Sequence, residues 1–131
     1  MAGSLIKIDE EIVSSAVSSV TLGGANWDSS YDVYQVVVSN VVPASDSQAL
    51  IFRHLDTSNN PITSANYDVA FKVLRTDTTF ENGYGTGVTF AFIVDNYIGT
   101  ATGEVANGVL YLFNSNNGSE FTYHTVESTY R

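Results

Sequence analysis

The chain has 131 residues, no cysteine, and fourteen acidic side chains against five basic ones, giving a formal net charge of −9. That charge repels phosphate backbones and anionic membrane surfaces, and the lack of cysteine excludes disulfides, thiolate metal ligands and a cysteine nucleophile. With 44% apolar and 15% charged residues, the composition is typical of a globular chain and excludes a disordered one.

At the N-terminus, residues 1–14 are interpreted as an extended arm that contains a short edge strand at residues 5–8. A helix over residues 5–20 is the alternative, because three apolar side chains would share one of its faces. Four serines in that stretch are mediocre helix formers, so a strand is predicted at residues 16–22. The opening residues lack the basic and hydrophobic regions of a signal peptide, so we expect folding in a cytoplasm.

A loop rich in Gly, Asn, Asp and Ser is predicted at residues 23–30, followed by a Tyr- and Val-rich strand at residues 32–39. Both faces of that strand carry apolar side chains. We therefore expect a central strand, covered on both faces and next to the strand at 16–22. The Gly-rich run at residues 83–87 is interpreted as a flexible connection. Further strands are predicted at residues 48–56, 67–74, 88–94, 105–113 and 121–126.

Strands and turn signals recur along the chain at short intervals, with no amphipathic helix between them. This arrangement favours an all-β fold over any α/β fold. The sequence therefore predicts an antiparallel β-sandwich, jelly-roll-like, formed as a single domain by residues 1–131.

Motifs for catalysis, metal binding or phosphate binding are not found. His54 and His124 fall in predicted strands, and neither has a second histidine or a carboxylate at metal-ligand spacing. No Gly-x-Ser-x-Gly elbow, phosphate-binding glycine loop or calcium-binding loop is present, and the carboxylates outside residues 9–11 are scattered. We predict that the protein is not an enzyme and uses no cofactor and no metal.

Aromatic residues in polar loops are the features most compatible with binding. Trp27 lies between Asn26 and Asp28, where an indole ring could stack on a sugar and the neighbours could bond its hydroxyls. Tyr84 and Tyr97 are weaker candidates of the same kind. The competing interpretation is that Trp27 folds back over the core or fills a subunit interface.

Several segments carry a resemblance to a known group of proteins. They are MAGSLIKIDE (residues 1–10), SSVTL (18–22), YDVY (31–34), YDVA (67–70), KVLR (72–75), TATGEVANGVLYLFN (100–114) and SEFTY (119–123). In these segments the chain resembles virion structural proteins of marine tailed phages, including cyanophage-like ones. The resemblance rests on strand patterns and covers most of the chain.

That resemblance implies a non-enzymatic subunit of the virion, either a capsid decoration (cement) protein or a tail fibre-type appendage. Its partners would be other capsid or tail proteins and further copies of itself, with a trimer expected, and assembly would take place in the host cytoplasm. Members of the group continue past the strand at residues 123–127, so this chain is a shorter member or a neighbour supplies strands. The alternative function is a lectin-like module that binds a host-surface glycan during adsorption.

Overall fold

The computed structural model describes residues 5–77 and 79–131, and its regular structure is almost entirely antiparallel β. The helical part of the described chain is one 3-10 turn, Gly24–Asn26. The strands are β1 (Val33–Val41), β2 (Gln48–Phe52), β3 (Tyr67–Leu74), β4 (Phe80–Val88), β5 (Ala91–Ile98), β6 (Ala106–Phe113) and β7 (Tyr123–Tyr130).

The strands form three sheets, all with antiparallel pairing. β6 lies between β1 and β7 in a three-stranded sheet, while β2 pairs with β5 and β3 pairs with β4. β5 packs against both β6 and β7, so the β2–β5 pair covers the inner face of the three-stranded sheet. The predicted all-β antiparallel fold is confirmed, whereas the jelly-roll connectivity stays a prediction.

The core lies between these two layers. Alternate residues of β6 point inward, as expected for a strand with one face on a core. One of them, Gly108, lets the layers approach closely, because a Cβ there would lie 3.0 Å from Ile93 Cγ2. The buried residues of the hydrophobic core, which we call the core cluster, are Tyr34, Ile93, Val94, Ile98, Ala106, Leu110 and Leu112.

β1 is an edge strand, and the prediction that it is central is wrong. Among the described strands it pairs only with β6, and its outward face is solvent-exposed, with Val37 63% accessible. The position of a strand in a sheet depends on its partners, which local composition does not specify. β6, with neighbours on both sides, is the central strand.

The strands predicted at residues 5–8 and 16–22 are also wrong, as is the alternative helix. Residues 5–22 contain neither helix nor strand and are exposed almost throughout. Alternating, β-branched sequence suits a strand, but a strand forms only where a second strand supplies hydrogen-bond partners. Within the described chain no such partner lies beside this segment.

The Gly-rich run at residues 83–87, predicted as a flexible connection, lies inside β4 and pairs with β3. Gly83 stands opposite Phe71, whose ring lies over the glycine where a side chain would otherwise be. Glycine weakens an isolated strand, but here its missing side chain makes room for an aromatic ring of the partner strand.

Replacing Gly83 with alanine is therefore expected to destabilise the fold, because the new Cβ would overlap the Phe71 ring. The expected loss is about 1–3 kcal/mol in the free energy of unfolding, measured by urea titration. Gly118→Ala is the matched control, since no atom lies within 4 Å of a Cβ built there. Adding Phe71→Leu should recover part of the loss, and strictly additive effects would contradict the overlap.

Candidate functional site

The loop before β1 holds three of the residues predicted to contact a partner: Asn26, Trp27 and Asp28. The 3-10 turn brings Trp27 over the end of the core, where its ring stacks on Tyr34 with centroids 3.8 Å apart and planes 18° apart. Gly23 approaches the same indole, because a Cβ there would lie 3.0 Å from Trp27 Cε3. Trp27 thus folds back over the core and has little free ring face left for a sugar.

The Tyr34 hydroxyl fixes this loop in place. It donates a hydrogen bond to the Asp28 carbonyl and accepts one from the Asp28 N–H at 3.2 Å. The Asn116 side-chain amide also donates to the hydroxyl, at 3.3 Å, and to the same carbonyl. A buried tyrosine needs such partners at its polar tip, so Asp28 contributes here through its backbone.

The Asn26 side chain is used within the chain as well. Its amide donates to the Ile8 carbonyl at 3.1 Å, and the Gly23 N–H donates to the Asp9 carboxylate at 2.8 Å. Ile8 is half-buried against the core, so these bonds tie the N-terminal segment to the loop. The loop is therefore chiefly an anchoring point for residues 8–10.

The two remaining candidates lie at other places. Tyr84 stands on the outer face of the β3–β4 hairpin, opposite Ala70, and is 85% accessible. Tyr97 lies on β5 and is also exposed. Among the described side chains no ring contact joins either tyrosine to Trp27. The five predicted residues therefore occupy three separate positions and do not form one site.

Tyr97 has an unusual backbone conformation. The pairing of β5 with β2 passes from Leu50 opposite Val94 to Gln48 opposite Ile98, so β5 carries two extra residues in a bulge. Within that bulge Tyr97 has a φ of 68°, in the left-handed region that large side chains avoid. Such strain costs on the order of 1–3 kcal/mol and tends to occur at functional positions.

Around this bulge lies a polar and aromatic group that we call the Arg75 cluster: Arg75, Glu81, Asp95, Tyr97 and Tyr130. Arg75 forms an ion pair with Glu81 at 2.7 Å, and its guanidinium carbon lies 5.5 Å from the Tyr97 ring centroid. Burial raises the pKa of the Asp95 carboxyl, and the Glu81 carboxylate raises it further. Burial also raises the pKa of Tyr130, against the opposing effect of Arg75. An exposed ring beside a cation and two carboxylates suits a hydroxyl-rich ligand.

Sequence reasoning found Tyr97 but missed the other members of the Arg75 cluster. Arg75 and Glu81 flank the turn of the β3–β4 hairpin, with Val73 opposite Glu81, so recognising β4 would have placed them together. Asp95 was among the scattered carboxylates, and it is now close enough to Glu81 for their charges to interact. Because Glu81 forms an ion pair with Arg75, we assign no acid–base role to Glu81 and Asp95.

The two histidines, far apart in sequence, lie close together between the layers. The ring centroid of Phe52 lies 5.8 Å from that of His54 and 5.1 Å from that of His124. His54 also stacks on Tyr67, at 6.3 Å. Burial lowers the pKa of both histidines, and the charge of His124 lowers the pKa of His54 further. Protonation therefore disfavours this contact between β7 and the end of β2.

We expect the fold to lose stability in mild acid because of these histidines. An unfolded histidine has a pKa near 6.5, and the folded pKa values are lower, so the unfolded chain binds more protons. The contribution is fully present above that pH and is lost as the pH falls through it. Urea midpoints at about pH 7.5 and about pH 5.5 should differ less in His54→Gln/His124→Gln than in the native chain. Equal pH dependence in both proteins would contradict this.

Among residues 5–77 and 79–131, no group of three or more His, Asp or Glu side chains is arranged to hold a metal ion. Within the same residues, no helix has the length and apolar character needed to span a membrane. Comparison of the chain with models of protein families, with curated proteins and with solved structures found no match.

Proposed function

We propose that this chain is a non-enzymatic structural subunit of a tailed-phage virion, a capsid decoration or tail-appendage protein that works as part of a larger assembly. The observation that carries the proposal is the balance of apolar surface. Of the described residues, 17 large hydrophobic side chains are exposed, whereas nine hydrophobic residues are buried. Clustered apolar side chains left on a surface mark sites of association with other chains.

Seven of the 17 exposed large hydrophobic side chains lie in the N-terminal segment before Gly23. Others lie on the outer face of the three-stranded sheet, at Val33, Val37 and Tyr123. The β3–β4 hairpin carries a further three, Leu74, Phe80 and Tyr84. A homo-oligomer would cover part of this surface, with a trimer expected. The acidic charge would keep such a subunit soluble at high copy number and away from nucleic acid.

Purification of the particle tests the proposal. We expect the chain to remain with intact capsids or tails at a fixed stoichiometry through density-gradient centrifugation, and to be located on the particle by electron microscopy. Recovery of the chain only in the soluble fraction of infected cells would contradict the proposal.

A glycan-binding module for host adsorption is the second candidate, and the Arg75 cluster favours it. The exposed Tyr97 ring provides a stacking surface, and Arg75 and Glu81 provide hydrogen-bond groups beside it. On a glycan array, Tyr97→Ala should abolish binding, whereas Tyr84→Ala, an exposed tyrosine on another surface, should not. If both variants still bind the glycan, the Arg75 cluster is not the binding site.

A further inference from the structure

Residues 10–22, which we call the arm from here on (not the arm predicted at residues 1–14), form a closed loop that pairs with no strand of the described chain. At its start Glu10 forms an exposed ion pair with Lys7, at 3.0 Å. Its base is tied by the bond from Gly23 N–H to the Asp9 carboxylate, at 2.8 Å. Every residue between is exposed, with Val17 58% accessible, and the small concavity at residues 11–21 is lined by the arm itself. The arm therefore projects from the sandwich.

Half of the arm has the sequence of a strand. Residues 16–22, AVSSVTL, contain no charge, no proline and no glycine, and three of the seven are β-branched. Val20 and Leu22 fall on one face of an extended chain, and Val17 and Thr21 on the other. A segment of this kind lowers its free energy by joining a sheet, because its backbone groups then gain partners and its apolar side chains are covered.

β1 offers an edge that matches this segment. Within residues 5–77 and 79–131 no strand lies along its outer side, and its nine residues, VYQVVVSNV, carry no charge and no proline. Exposed sheet edges in proteins are normally protected by charged residues or proline. The long edge of β1 has neither and is therefore suited to pairing with another strand. At ~3.3 Å per residue, residues 16–22 extend for about 23 Å and fit within the roughly 30 Å of β1.

The other sheet edges of the described chain fit less well. β2 is uncharged but only five residues long. β3, β4, β5 and β7 each contain at least one charged residue, as the sequences DVAFK of β3 and VES of β7 illustrate. β6 is uncharged, but both of its sides are already paired. Length and charge together therefore select β1.

We propose that residues 16–22 of one subunit add as a strand to the β1 edge of a second copy of this chain. Such pairing is head-to-tail, so it closes into a ring when each subunit gives its arm to the next, as in the expected trimer. The inference rests on the proposed assembly function and names its contact. Residues 18–22, SSVTL, would then serve in subunit association.

Charge substitution tests this contact. Val17→Lys/Val20→Lys should convert the oligomer to a monomer, as measured by sedimentation velocity. Val37→Lys, on the acceptor edge, should also weaken the oligomer. The matched control is Leu74→Lys/Tyr84→Lys, which places the same charges on exposed apolar positions of the β3–β4 hairpin and should leave the oligomer intact. Because all substituted side chains are exposed, the monomers should keep the far-UV circular dichroism of the native chain.

Cysteine pairing identifies the occupant of the edge, since the native chain has no cysteine. The Val17→Cys protein is mixed in turn with Gln35→Cys, Val37→Cys or Ser39→Cys protein, and each mixture is oxidised. We expect a cross-linked dimer in at least one of these mixtures. The control mixture of Val17→Cys with Leu74→Cys should give none. When Val17→Cys and the cross-linking β1 substitution are combined in one chain, the disulfide should still form between different chains. An internal disulfide in a monomer would show that the arm folds on its own β1, and would overturn the proposal.

The outcomes separate this inference from the proposed function. If Val17→Lys/Val20→Lys remains oligomeric and no cross-link forms, the arm is not the contact, and recovery of the chain on purified particles would still support the virion role. If the chain is absent from particles but the arm variants dissociate, the contact stands and the virion role fails.

Discussion

Replacing Tyr34 with alanine is expected to lower the free energy of unfolding by about 3–5 kcal/mol, the range for deleting a buried aromatic ring. Tyr34 is 5% accessible and belongs to the core cluster between the two layers. Its ring also supports the stacked Trp27, so the substitution removes packing on two sides. Urea titration monitored by the fluorescence of this single tryptophan would measure both the stability and the release of the loop.

Tyr34→Phe isolates the hydroxyl contribution. It keeps the ring but leaves the Asp28 N–H and carbonyl without their Tyr34 partner, so a loss of about 1–3 kcal/mol is expected. The tryptophan fluorescence of the native state should then change less than in Tyr34→Ala. If both variants were as stable as the native chain, Tyr34 would not be the link between the loop and the core.

Leu110→Ala is expected to lower the free energy of unfolding by about 2–5 kcal/mol, because it leaves a cavity in the centre of β6. Leu110 is 2% accessible and is packed in the same core cluster as Tyr34. Leu74→Ala is the matched control: the chemical change is identical, but Leu74 is 71% accessible at the end of β3. That surface change should alter the stability by no more than about 0.5 kcal/mol.

Chemical denaturation of the two leucine variants at equal protein concentration compares them directly. Similar losses in both would mean that Leu74 is covered in solution, which would move the interface to the β3–β4 hairpin. A small loss at Leu110 would place the core elsewhere. The arrangement of layers described above predicts a clear difference between them.

The sequence predicted strands well where alternation was combined with apolar content. The strand predicted at residues 67–74 has the bounds of β3, and the predictions at 105–113 and 32–39 differ from β6 and β1 by one or two residues. The strand at residues 83–87 was not predicted from the alternation of side chains, because Gly83 depends on the ring of Phe71, a residue of the partner strand. Such long-range compensation is not visible in a local sequence window.

At residues 16–22 the error was of the opposite kind. The composition is typical of a strand, but it contains no information on whether a partner strand is present in the same chain. The same limit explains why β1 was predicted to be central. Both errors concern pairing, and together they identify the two elements that we propose to pair between subunits.

The candidate site was only partly predictable. Trp27 was expected either at a ligand or over the core, and its stacking on Tyr34 places it over the core. The Arg75 cluster depends on the β3–β4 hairpin and on the bulge around Tyr97, neither of which the sequence indicated. The closeness of His54 and His124 likewise results from the packing of two layers.

Sedimentation velocity of the native chain at micromolar concentration measures whether this protein is an assembly subunit. Exposed apolar side chains outnumber the buried hydrophobic residues in the described chain, so we expect a closed homo-oligomer, a trimer with three times the 14.1 kDa mass of one chain. A stable 14.1 kDa monomer across that concentration range would contradict the account.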